Sequence, residues 1–213
     1  MPLLCQCRVY SDRPTCRTVD RGEPTTVDRK APEVIVARAK RLPVDPIAEA
    51  KRQWLEHGWT DAAPGMTLVT SIMRAQQLLL ARVDATLKPF KLTFARYELL
   101  TLLSFTRSGR MPMASASLRL QVHPTSVTNT VDRLEASGHV RREPHPDDGR
   151  ATLITLTESG RALAERATAA LNADVFERPG LSRDDTESLV GLIARLRRDA
   201  GDFDDPRPAP DPL

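Results

Sequence analysis

Thr125, Ser126, Thr128, Asn129 and Arg133 fall within nine consecutive residues, and each side chain can make hydrogen bonds. Between them Val127, Val131 and Leu134 sit at i, i+4 and i+7, the spacing of a buried helical stripe. The polar set is therefore left on faces that a core does not need. Pro124 suits a first helical position, where its missing N–H costs nothing, and Gly138 suits the end. Two β-prone runs follow, His139–Glu143 and Ala151–Leu156, joined by a loop that carries the Asp148-Gly149 turn signal and Arg150. A helix with a spare hydrogen-bonding face, running into a hairpin with a charged tip, has the layout of a winged helix that reads DNA.

The elements needed to hold that unit can be read along the chain. Asp45 can cap a helix entered through Pro46, with Ile47, Ala50 and Trp54 on one face and Gly58 at its end. Leu68, Ile72, Leu79, Val83 and Leu87 give a long helix stopping before Pro89. Thr93 caps a strongly apolar helix to Phe105, and Ser108-Gly109 breaks it. Met113–Leu120 is short and helical, with Gln121, Val122 and His123 as the turn into the polar helix. After the hairpin, Thr157 caps a helix striped by Leu163, Ala167, Leu171 and Val175, and Pro179-Gly180 interrupts it. Ser182 with Asp185 resembles a capping box for a last helix through Leu189, Leu192 and Leu196.

The fold class expected is mainly α with a small β-hairpin wing: a winged helix-turn-helix flanked by N- and C-terminal dimerisation helices. Residues 1–33 read as a disordered arm, or as an over-extended start with translation beginning near Val34. Residues 44–92 are expected to be N-terminal dimerisation helices, 93–157 the DNA-binding domain, 158–200 the C-terminal dimerisation helices and 201–213 a disordered tail. Apolar helices at both ends need something to pack on. A second copy is preferred over an intramolecular cap, because one short reading helix offers too little contact for specific DNA affinity.

With 40% hydrophobic and 28% charged residues the composition is globular, and no apolar run approaches the roughly 18 residues of a membrane span. The start lacks a signal peptide's pattern, so a cytoplasmic location is expected. The net charge is only +3, so a DNA-binding surface must come from the placement of charges. Cys5, Cys7 and Cys16 all lie in the first sixteen residues. Without a histidine or second cysteine pair nearby they read as reduced thiols rather than a metal or redox site, and no cofactor is expected.

The run Thr125–Gly138 with its Asp-Arg-Leu-Glu segment, the Asp148-x-Arg150 wing and the Leu-Thr-Glu-x-Gly exit at Leu156–Gly160 closely resemble the MarR family of transcriptional regulators. The resemblance covers about residues 44–200 and is densest from Met113 to Gly160. It implies an obligate, triangular homodimer whose winged helices bind a palindromic operator in adjacent major grooves. It also implies repression, relieved when a small phenolic or carboxylated effector binds between the dimer and DNA-binding parts. By position, Thr125, Ser126, Thr128 and Asn129 would face the major groove, where Asn can pair bidentately with adenine. Arg133 would hold a phosphate or base edge, Arg150 would enter the minor groove, and Asp148 would orient the Arg150 guanidinium. Alternatively Arg133 pairs with Asp132 or Glu135, Arg150 is an ordinary exposed charge, and Asp148 serves the turn.

His123 stands where the family usually has Ser, so either the helix cap is weaker or the imidazole touches a phosphate. Ala114–Ser117 is smaller and more polar than the usual first motif helix, which puts its packing in question. Residues 34–213 contain no cysteine, which argues against the thiol switch of the family's peroxide-sensing branch. Met66, Met73, Phe90, Phe94, Tyr97 and Phe105 could line an effector pocket, but at helical spacing they read first as core. Nothing in the sequence forms a phosphate loop, a metal-ligand spacing or a nucleophile–base pair, so an enzyme is not expected. The rival reading is a winged helix used for protein–protein contact without sequence-specific DNA binding.

Overall fold

The structure is a computed structural model, and it describes residues 42–146 and 151–203. Cys5, Cys7, Cys16, Asp148 and Arg150 lie outside the described residues, as do the arm at 1–33 and the tail from 204. Every described helix and strand belongs to the compact unit that begins at Val44.

Seven α-helices and three strands are described: α1 (Pro46–Glu56), α2 (Ala63–Leu87), α3 (Phe94–Phe105), β1 (Arg110–Pro112), α4 (Met113–Leu120), α5 (Pro124–Ala136), β2 (Val140–Pro144), β3 (Thr152–Leu156), α6 (Glu158–Leu171) and α7 (Arg183–Asp199). The chain punctuates these helices locally. Asp45 accepts from the Ile47 N–H at 2.9 Å, and the hydroxyls of Thr157 and Ser182 accept from Gly160 at 3.0 Å and Asp185 at 3.2 Å. Each satisfies an N–H with no partner inside its own helix. Gly58 and Gly138 take left-handed backbone, which a side chain would resist, and so release the chain from α1 and α5.

The three strands form an antiparallel sheet in the order β1-β3-β2. β1 adds to the two-stranded hairpin expected from sequence. Met111 and Arg142 flank Ile154 in one cross-strand row, while Arg110 and Arg141 flank Thr155 in the next. Alternation puts Met111, Ile154, Val140 and Leu156 on the inner face, where they join the core.

That core centres on α3, whose Leu99, Leu100, Leu102 and Leu103 are buried against α5, α6 and the sheet. The stripe Leu163, Ala167, Leu171 and Val175 is buried as expected, its last member on a π-helical turn, Asn172–Phe176, that continues α6. Ala116 of the small-residue helix α4 is fully buried, so short side chains bring α4 close in rather than weaken it.

The outer helices differ from their expected stripes. On α2 only Val83 and Leu87 of the stripe are buried, while Leu68, Ile72 and Leu79 are exposed. Helix α7 has no buried residue, and Leu189, Val190, Leu192, Ile193 and Leu196 all lie open. None of the described helices is long and apolar enough to cross a membrane.

Candidate nucleic-acid interface

The turn between α4 and α5 is built from main-chain geometry. Gln121 adopts left-handed backbone, unusual for a residue with a side chain, and ends α4. The Ser117 hydroxyl donates to the Val122 carbonyl at 2.7 Å and holds the turn closed. His123 then caps α5: its Nδ1 accepts from the Thr125 N–H at 3.3 Å, somewhat long for such a bond, and lies 3.1 Å from the Thr125 hydroxyl. The imidazole thus keeps the capping role that serine would have.

Val127, Val131 and Leu134 bury one side of α5. At 100° per residue the opposite side carries Thr125, Asn129, Asp132 and Arg133, with Ser126 and Thr128 on its flanks. All six are exposed. The five side chains singled out from sequence on this helix therefore do share an accessible surface. Thr128 donates to the Pro124 carbonyl at 3.1 Å, which leaves its oxygen lone pairs outward. Among the described residues Asn129 and Arg133 have no side-chain partner. The sixth member, Asp132, is not among the residues expected there from sequence.

Asp132 and Glu135 do not pair with Arg133, the alternative the sequence left open. They are held by Arg142 of β2. Its Nη2 donates to Asp132 Oδ1 at 2.5 Å, its Nη1 to Glu135 Oε2, and its backbone N–H to Glu135 Oε1 at 2.8 Å. Burial works against the charge on Arg142, but the hydrogen bonds it donates to Asp132 and Glu135 outweigh it and hold the guanidinium more firmly protonated than usual. The signal for this clamp lies in strand alternation: Val140 points to the core, so Arg142 faces the same side, where a charge needs an acid.

Arg141 points to the other face and pairs with Glu143 at 2.5 Å. The Thr155 hydroxyl, 2.7 Å from Glu143, and then Arg141 hold the Glu143 carboxyl below the usual range. The hairpin ladder runs as far as the His145 N–H, which donates to the Ala151 carbonyl at 3.1 Å. The wing tip beyond it, with Asp148 and Arg150, falls outside the described residues.

The hairpin returns into α6 through a tight joint. The Thr157 N–H donates to the His139 carbonyl at 3.1 Å, and the Thr157 and Ser159 hydroxyls donate to the Gly138 carbonyl at 2.8 and 3.0 Å. Helices α5 and α6 are thereby fixed end to end beside the sheet.

The six apolar residues considered for an effector pocket divide between core and surface. Tyr97 is buried, its hydroxyl 3.2 Å from that of Thr168, with Phe90 and Phe94 packed against the core. Met73 and Phe105 are more than half exposed. A different hollow, of about 580 Å³, opens where α2 ends and α3 begins, with Asp84, Lys88, Lys91, Thr93 and Arg96 among its lining residues. No group of three or more potential metal ligands occurs among the described residues.

A helix pair joined by a tight turn, its second helix exposed and followed by a sheet-anchored hairpin, defines a winged helix-turn-helix protein. Residues 90–151 match the family model described as MarR family. The chain is 51% identical to Sco5413, a MarR family transcriptional regulator from Streptomyces coelicolor, over 67% of this chain and 99% of that one, with a TM-score of 0.61. It is 34% identical to the HTH-type transcriptional repressor Rv2887 of Mycobacterium tuberculosis, over 54% of this chain and 80% of that protein. It is also similar to Sco3205, a MarR family regulator of S. coelicolor solved in complex with DNA, at 28% identity, with 62% of this chain and 84% of that one covered and a TM-score of 0.54. The chain belongs to the MarR family of transcriptional regulators.

Proposed function

We propose that the protein is a homodimeric repressor that binds a palindromic operator and is released from it by a small anionic ligand. The observation that carries the reading is the exposed face of α5, where hydroxyls, an amide and an unpaired arginine are presented together. Residues 93–157 form the DNA-binding part. Thr125, Ser126, Thr128 and Asn129 enter the major groove, Arg133 reaches a phosphate or base edge, and Arg150, oriented by Asp148, enters the minor groove. Two relatives support the DNA partner by their descriptions, Sco3205 in complex with DNA and the repressor Rv2887.

The dimer rests on area that one chain leaves uncovered. Helix α7 exposes five large apolar side chains and α2 exposes Leu68, Val69, Ile72, Met73, Leu78, Leu79 and Leu80. Patches of this kind on a regulator mark a contact with another chain, and a second copy supplies a self-complementary one. Residues 44–92 and 158–200 are the dimerisation parts in this reading. For the ligand, the cations Lys88, Lys91 and Arg96 around the hollow favour a carboxylate.

Footprinting on the intergenic DNA upstream of the gene, at stated salt with unrelated competitor, tests the reading. A protected near-palindrome with half-sites about one helical turn apart is expected. Loss of protection on adding aromatic carboxylates, abolished by Lys88→Ala with Lys91→Ala, is expected for the ligand. Binding to no DNA above competitor across a genome-wide selection would favour a protein-contact role for the same helix.

A further inference from the structure

On the winged-helix face, carboxylates sit where phosphates would approach. Asp132 is on the outward side of α5 beside Asn129 and Arg133, and Glu135, half-buried, is one turn further on the flank toward β2. Uncompensated, two negative charges there would oppose the contacts made by their neighbours. They are partly compensated within the chain, since a single guanidinium from the first strand of the wing takes one oxygen of each carboxylate. The Arg142 main chain adds a third bond to Glu135, so the clamp also ties helix to strand.

We propose that Arg142 is a positioning residue for DNA binding: its single charge offsets one of the two negative charges of Asp132 and Glu135 and its bonds draw both carboxylates toward β2, without itself contacting DNA. The inference rests on the DNA-binding reading of α5. Arg142 is only 27% exposed and its donors are already committed to the two acids, whereas its neighbour Arg141 is 62% exposed on the opposite face. Lysine at this position would keep a charge but could not bridge both carboxylates with a planar fork.

The test is fluorescence anisotropy of the full chain on the footprinted operator and on unrelated duplex of equal length, over a range of salt. Circular dichroism and sedimentation establish that each variant is folded and in the same oligomeric state. Arg142→Gln is expected to weaken binding by about 10- to 100-fold. Adding Asp132→Asn and Glu135→Gln to it should restore affinity to within a few-fold, because the repulsion it unmasked is gone. Binding by R142Q equal to the parent overturns the proposal, and so does a triple variant as weak as R142Q. Should R142Q fail to fold, the double variant D132N/E135Q decides. Its freed guanidinium should tighten binding to both duplexes and steepen the salt dependence, and an unchanged slope overturns the proposal. A parent protein that binds neither duplex refutes the DNA-binding reading instead, so the two failures are distinct.

Discussion

Gly160 has ordinary backbone dihedrals, yet a Cβ there would stand 2.0 Å from the His139 carbonyl oxygen and 2.9 Å from a Leu156 methyl. The oxygen is main chain and is already bonded to the Thr157 N–H, so it has little room to yield. Gly160→Ala is expected to cost about 2–3 kcal/mol in urea unfolding, as the joint between α5 and α6 is pushed apart. An unchanged midpoint would mean that the joint is far softer than its hydrogen bonds imply. Glu98 is a second site where one side chain works against the fold. Burial raises its carboxyl above the usual range, and it has no hydrogen-bond partner among the described residues. A raised value means that the folded state pays for the charge above that range and is relieved as pH falls and both states take up the proton. Glu98→Gln should therefore raise the melting temperature at pH 7, with the gain shrinking toward pH 4. A gain that is constant with pH would assign the effect to packing.

Among the elements, α6 and the segment before α7 show how a helix exit is controlled. Arg82 of α2 donates to three main-chain carbonyls there, Asp174 at 3.0 Å, Arg178 at 2.8 Å and Pro179 at 3.5 Å. A cation suits the carbonyl-rich end of a helix, and here it gathers the π-helical turn and the following loop at once. Arg82→Ala should cost about 1–2 kcal/mol and speed amide exchange in residues 172–182 while leaving the sheet protected. Uniform acceleration across the molecule would instead mark Arg82 as part of the global fold. No local pattern in the sequence announces this contact, because its partners are main-chain atoms some ninety residues away. Helix starts at Asp45, Thr93, Thr157 and Ser182 are legible because a cap is written within three residues. Strand β1 is not: Arg-Met-Pro is too short to alternate, and Pro112 reads as a break although an edge strand tolerates it. Likewise Arg142 looks like half of a basic pair in the sequence, since only the register of β2 against β3 separates it from Arg141.

For the molecule as a whole, the exposed apolar sides of α2 and α7 make assembly, in the function proposed above, the condition for reading DNA. Ile193→Glu places a charge in the middle of the α7 face and should shift the protein to monomer in sedimentation velocity, with operator affinity falling by about 100-fold or more as the second half-site is lost. A dimer that persists would put the interface elsewhere. At the wing tip, Arg150→Ala should lower operator affinity by about 1–3 kcal/mol if the side chain makes a specific groove contact, measured at the same salt as the parent. Equal affinity would remove the tip from the interface.

Strand β3 is bonded on both sides, to β1 by three residue pairs and to β2 by five, and the ladder is closed by the bond between His145 and Ala151. His145 and Ala151, the two ends from which the wing tip departs, are therefore held in fixed register by the sheet itself. The hairpin thus offers a rigid base of set spacing, a scaffold onto which a library of wing tips could be grafted and screened for altered DNA preference.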